Sequence, residues 1–121
     1  MQDTWNDDVP IYKQLRDRIA ARILDGSFNE GEAIPSVRTV AAESKINHLT
    51  VSKAYQELVD EGVLEMMRGR GMFVVAGARN TLLNDEREKF IHNELPALLE
   101  RLSSLHMSVD DLMKLIKRKD T

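Results

Sequence analysis

The sequence predicts a mainly α fold with one small β-hairpin, and three observations carry that prediction. Between Ile34 and Gly62, two short runs with helical apolar spacing each follow a residue suited to capping a helix, Ser36 and Asn47. Val63 to Met67 and Met72 to Val75 are β-prone and are separated by Arg68-Gly-Arg-Gly71, where glycine permits the positive φ of a tight hairpin loop. Beyond Gly77 the chain reads as helical and rich in leucine. A short helix, a turn, a second helix and a hairpin with a basic tip, in that order, make a winged helix-turn-helix, here followed by C-terminal helices. The expected organisation is a winged helix-turn-helix domain over residues 1–76 and a helical region over residues 77–121.

Each element has its own reason. Pro10 suits the first turn of a helix, with Asp8 as the expected cap, and Ile11, Leu15, Ile19 and Ile23 give that helix one apolar face. Gly26 ends it, and Ser27 to Ala33 are polar enough to read as a loop. Ser36 caps the second helix after Pro35, with Val37, Val40 and Ala41 facing inward, and Glu43 to Asn47 make the turn. Asn47 caps the third helix, whose buried stripe is Val51, Ala54, Tyr55, Leu58 and Val59 and which closes at Gly62. Thr50, Ser52 and Lys53 lie off that stripe and are expected to face outward. Tyr55, Met66 and Met67 read as packing residues, and Trp5 as a pin for the N-terminal arm. A long helix starts at Asn80 or Thr81 and should kink or split at Pro96. Ser108 and Asp111 form a capping box for a last helix, with Met107 and Leu112 as its hydrophobic staple and Val109, Leu112, Met113 and Ile116 as its apolar face. The end, Lys117 to Thr121, is expected to fray.

Composition narrows the function classes. The chain has 121 residues, no cysteine and a net charge of −3. Disulfides and thiolate metal sites are therefore excluded, and His48, His92 and His106 are too scattered for a ligand cluster. No metal or cofactor is expected. No apolar stretch has the length of a membrane span, and the acidic N-terminus is unlike a signal sequence, so a cytoplasmic location is expected. The negative total is a weak argument against nucleic acid, because a binding footprint is local. Arg38, Lys45, Lys53, Arg68 and Arg70 gather on the two central helices and the hairpin tip, while the acids collect elsewhere.

Those basic groups make double-stranded DNA the expected partner. Ser36 and Arg38 stand at the start of the second helix, where arginine could grip phosphate or a guanine edge. The first turns of the third helix carry Asn47, His48, Leu49, Thr50, Ser52 and Lys53, the part of a helix-turn-helix that reaches base edges and phosphates. Capping alone would explain Asn47, and His48 reads either as a contact or as an exposed bystander. Arg68, Arg70 and Gly71 form the wing tip, suited to a narrow minor groove or to phosphates. The apolar positions Leu83, Phe90, Ile91, Leu95, Leu98, Leu102, Leu105, Leu112 and Ile116 form either an internal core or an interface. Two isolated helices cannot bury both their faces, so a homodimer is expected. An enzyme is disfavoured: no nucleophile-base pair emerges, and Gly69-Arg-Gly71 lacks the spacing of a phosphate-binding loop. A winged-helix interaction module without a specific DNA target is the alternative, but the basic set would be superfluous there.

The run from Val9 to Val75 resembles the GntR family of bacterial transcription regulators. The resemblance rests on Pro10-Ile-Tyr-Lys-Gln-Leu15, Ile34-Pro-Ser-Val-Arg38, Thr50-Val-Ser-Lys-Ala-Tyr55, Glu61-Gly62 and Gly69-Arg-Gly-Met-Phe-Val74. Only roughly forty residues follow the wing, too few for a large effector domain, which resembles the YtrA subfamily. That resemblance implies C-terminal helices that serve dimerisation and a regulator, most often a repressor, of neighbouring transporter genes. His48 and Leu49 depart from the proline or basic residue that relatives often carry there, and Ser52 from an arginine, so no operator sequence is implied. No effector is implied either.

Overall fold

Pro10, with φ −52°, stands immediately before α1 (Ile11–Leu24). Asp8 lies two residues too far upstream to cap it, and no side chain takes that role. The start is instead fastened by Gln14, whose Nε2 donates to the carbonyls of Asn6 and Val9, both at 2.6 Å, and whose Oε1 accepts from the Asn6 N–H at 2.8 Å. Leu15, Ile19, Ala20 and Ile23 are buried along one face, while Ile11, at the exposed first turn, is not. Trp5 packs against this core, with the Arg18 guanidinium 3.8 Å from its ring centroid, so the expected pinning of the N-terminal arm is present. The computed structural model describes residues 4–119, and the chain divides into two compact units, Met1–Leu83 and Asn84–Thr121.

Ser36 caps α2 (Val37–Ser44) as expected, its Oγ accepting the Thr39 N–H at 3.1 Å. The helix runs further than the sequence suggested, through Glu43 to Ser44, and Lys45 with φ +54° turns the chain away. Asn47 caps α3 (His48–Asp60), its Oδ1 accepting the Leu49 N–H at 2.8 Å. Val51, Ala54, Tyr55 and Leu58 are buried, and Val59 packs beside them. The Tyr55 hydroxyl donates to the Pro35 carbonyl at 2.5 Å and so ties α3 to the approach to α2. Arg16 is buried on α1 and reaches Glu61 just past α3, with Nε donating to Oε2 at 3.0 Å and a second bond from the guanidinium to Oε1. That pairing raises the Arg16 pKa, and a two-pronged contact of this kind fixes orientation as well as charge.

The wing is β1 (Leu64–Met67) paired antiparallel with β2 (Gly71–Val74), Leu64 opposite Val74 and Met67 opposite Gly71. Gly69 and Gly71 take φ +77° and +109°, values that a side chain would strain. The stretch expected to be loop also joins this sheet. Gly31 donates to the Val74 carbonyl, Val74 to that of Glu32 and Ile34 to that of Met72, at 2.8, 3.0 and 2.9 Å. Residues 31–34 therefore flank β2 on its other edge, with one bridge, Ala33 to Phe73. Met66 was expected to pack but is 61 % exposed. It shares a sheet face with buried Leu64 and lies directly opposite Met72, which is buried, so burial on this face covers β2 and leaves this end of β1 open.

α4 (Ala78–Lys89) begins earlier than expected, and its first turn is held by unit 1. Ala78 and Leu82 belong to the core, and the Glu30 carboxylate accepts the N–H groups of Gly77 and Arg79 at 3.0 and 3.1 Å. Those two bonds lower the Glu30 pKa and satisfy amides that a helix start leaves without partners.

In the second unit, Phe90–Glu94 form a π-helical turn before α5 (Leu95–Ser104). The Leu95 N–H bonds to the Phe90 carbonyl, one residue wider than α-helical spacing. The break expected at Pro96 is thus a widened turn just ahead of it, which accommodates a ring that has no N–H to give. His106, with φ +56°, ends α5, and α6 (Val109–Lys119) follows. Its capping box is reciprocal: Ser108 Oγ accepts the Asp111 N–H at 3.0 Å, and Asp111 Oδ2 accepts the Ser108 N–H at 2.9 Å. Residues 117–119, expected to fray, continue α6, whereas residues 120–121 lie outside the described residues.

Candidate nucleic-acid interface

A cleft of about 340 Å³ opens where the start of α2 faces the wing. Its rim brings together four residues singled out from the sequence: Ser36 and Arg38 from one side, Arg70 and Gly71 from the other. Ile34, Val37, Tyr55, Met66 and Met72 make its apolar floor and walls, and the described residues lining it include no carboxylate. Arg38 and Arg70 are exposed, and among the described residues neither takes part in an ion pair. The Arg70 guanidinium lies 5.2 Å from the Phe73 ring centroid, a contact that orients the cation without neutralising it. Ser36 is engaged by its capping bond and by Thr39 Oγ1 at 3.0 Å, so its backbone and hydroxyl are already set when a partner arrives. Burial pushes the Tyr55 hydroxyl up to about 12, which keeps it a protonated donor to Pro35 beneath the cleft.

The α3 residues stand in three conditions. Asn47 is exposed and occupied as a cap; His48, Leu49 and Lys53 are exposed; Thr50 and Ser52 are half-buried. Lys53 Nζ lies 4.1 Å from the Tyr12 ring centroid, so α1 steers this cation. Tyr12 was missed as a site residue; its presence beside Lys13, in the stretch before the core motif, gave no sign of a partner on another helix. Arg68 is exposed at the wing tip but does not line the cleft.

The expected interface positions lie mostly open. Leu83, Phe90, Ile91, Leu98, Leu105 and Ile116 are exposed, and Leu95 and Leu112 are half-buried. Leu102 differs: at 6 % exposure it serves the packing of its own chain and offers little to a second copy. Leu115, which the sequence pattern did not pick out, joins Val109, Met113 and Ile116 as exposed apolar surface on α6. Among the described residues no cluster of acidic or histidine side chains could hold a metal ion, and no helix is long and apolar enough to cross a membrane.

Residues 11–74 match the family model described as bacterial regulatory proteins, gntR family. The chain belongs to the GntR family. GntR-family proteins are DNA-binding transcription regulators and not enzymes, and this member has the winged-helix domain and C-terminal helices of its structural neighbours. It is 26 % identical over 117 residues to the uncharacterised regulator YhcF of Bacillus subtilis, covering 97 % of this chain and 95 % of that one. It is 41 % identical over 75 residues to the transcriptional repressor YtrA of the same organism, covering 62 % of this chain and 58 % of that one. A transcriptional regulator from Oenococcus oeni superimposes with a TM-score of 0.82 at 26 % identity, over 100 % of this chain and 98 % of that one. The AraR DNA-binding domain, solved in complex with operator ORE1, superimposes with a TM-score of 0.54 at 26 % identity, over 62 % of this chain and 94 % of that one. The resemblance to YtrA-type regulators, read from motifs and from the short C-terminal region, is thus matched by a relative of that name.

Proposed function

We propose that this GntR-family regulator acts as a homodimer that represses transcription by occupying an inverted-repeat operator and excluding polymerase. One observation carries the reading. Arg38 and Arg70, from separate elements, meet at one cleft with no carboxylate among the described residues around it, close to α3 through the shared wall residue Tyr55. Two cations placed so can hold one stretch of DNA backbone or reach its bases while α3 enters the major groove. The DNA-binding part ends near Ala76, and the helices from Gly77 onward form the dimerisation region. Leu83, Phe90, Ile91, Leu95, Leu98, Leu105, Leu112 and Ile116 contribute its apolar surface. Two-fold symmetry then presents two α3 helices to two half-sites. The YtrA relative is a repressor by name, which supports the sign of regulation. The subfamily resemblance supports transporter genes as the targets, and DNA as the partner implies a cytoplasmic site of action.

The test compares wild type with Arg38→Ala and Arg70→Ala on a duplex selected by the wild-type protein, at one stated salt concentration. Each substitution should weaken binding roughly tenfold or more, the worth of a good arginine contact, with helical content unchanged. Unchanged binding by both variants would overturn the assignment and favour a protein-interaction role for the winged helix.

A further inference from the structure

The most exposed apolar side chain of α3 is Leu49, at 65 % exposure, outside the core cluster. A lone exposed leucine is ordinary on a protein surface. Its position is what distinguishes this one. At 100° per residue, Leu49 points roughly 180° away from the mean direction of Val51, Ala54, Tyr55 and Leu58, the buried stripe. It therefore sits at the centre of the outward face of α3, in the first turn, with Lys53 one turn further along. Its backbone is fixed, because Asn47 Oδ1 holds its N–H at 2.8 Å. Further along the same face come Gln56 and Asp60, bonded to each other at 2.9 Å. The outward face thus runs from apolar and basic at its N-terminal end to acidic at its C-terminal end, and only the first of these suits the surface of DNA.

We propose that Leu49 is a specificity-determining residue that packs on the C5-methyl group of a thymine in the major groove of each half-site. The inference rests on the reading of the chain as a sequence-specific DNA-binding protein. Every base edge in the major groove presents donors or acceptors, and thymine adds the one apolar group among them. Leucine has nothing to donate or accept. Against a cytosine amino group or a guanine carbonyl it would displace water and leave a polar edge without a partner, which costs free energy. Against a thymine methyl it removes two apolar surfaces from water together. One side chain thereby rewards thymine and penalises its alternatives.

The experiment replaces each thymine of the selected duplex, one at a time, by deoxyuridine, which keeps the pairing and the O4 acceptor and loses only the methyl group. Affinities are measured for the wild type and for Leu49→Ala, a surface substitution in a good helix former. At one symmetry-related position per half-site, deoxyuridine should weaken wild-type binding about fourfold, the worth of one buried methyl group. Leu49→Ala should bind the thymine and deoxyuridine duplexes equally. The proposal is overturned if no position responds to methyl loss, or if Leu49→Ala keeps the discrimination. A wild-type protein that selects no sequence at all would bring down the functional reading and this inference with it; specific binding without methyl discrimination would remove this inference alone.

Discussion

Leu58 and Leu98 are both leucines on helix faces, yet Leu58 is sealed from water and Leu98 is open to it. The same contrast runs through the two units. Up to Leu83, the apolar residues of α1, α2, α3, the wing and the first turn of α4 converge on one core. From Asn84 onward, Phe90, Ile91, Leu98, Leu99, Leu105, Val109, Met113, Leu115 and Ile116 stay exposed, and Leu102 is buried. Three helical elements cross at the first core and bring faces against one another, whereas α5 and α6 leave most of their apolar side chains open. The first unit thus closes its own core, while the second keeps an apolar surface open.

The largest effect should come from charging the open surface. Leu98→Asp should weaken dimerisation by about 3–5 kcal/mol, as an unpaired charge in an apolar interface does, and leave the unfolding of unit 1 within about 0.5 kcal/mol of wild type. Sedimentation shows the first and denaturant unfolding the second; an intact dimer would mean that the stripe packs within its own chain. Next comes Leu58→Ala, which should destabilise unit 1 by about 3 kcal/mol through lost transfer energy and an unfilled cavity. Chemical denaturation measures it, and a loss under 1 kcal/mol would erase the contrast between the units. Ser36→Ala and Ser108→Ala remove equivalent caps, one from each unit, at about 1 kcal/mol apiece. Calorimetry should find the Ser36 loss in the unfolding of unit 1 and the Ser108 loss in a transition that depends on protein concentration.

Titration sharpens the contrast further, because both perturbed groups that bear on it lie in unit 1. The Tyr55 hydroxyl is raised from its ordinary value near 10 to about 12, so its contribution is complete below pH 10 and disappears as pH climbs toward 12. Tyr55→Phe should flatten unfolding stability across that alkaline window. Glu30 is lowered by its bonds to the Gly77 and Arg79 amides, so its contribution is present above its ordinary value near 4.5 and lost as pH falls through the lowered one. This is the smallest effect, since the group is exposed, and Glu30→Gln should abolish that acid slope in a pH series of unfolding curves.

Local chemistry was legible in the sequence and long-range pairing was not. Ser36, Asn47 and the Ser108/Asp111 box act on amides two or three residues away, so spacing alone revealed them. The α3 stripe was legible for the same reason. Residues 31–34 joining β2 were not, because so short a segment shows no alternation and its partner lies beyond two helices. Arg16 with Glu61 and Lys53 with Tyr12 likewise join residues whose neighbours give no hint of each other. In the candidate site, the residue types were readable one by one, but the meeting of Arg38 with Arg70 at one cleft required the fold. Met66 was misjudged because apolar character on a sheet face does not say which strand the core covers: Met72, directly opposite it, is buried.

The most direct test of the central claim is selection of bound sequences from a random duplex pool by the purified protein at a stated salt concentration. The account predicts enrichment of an inverted repeat, two copies of one half-site in opposite orientation. Salt-sensitive binding with no enriched sequence would contradict it.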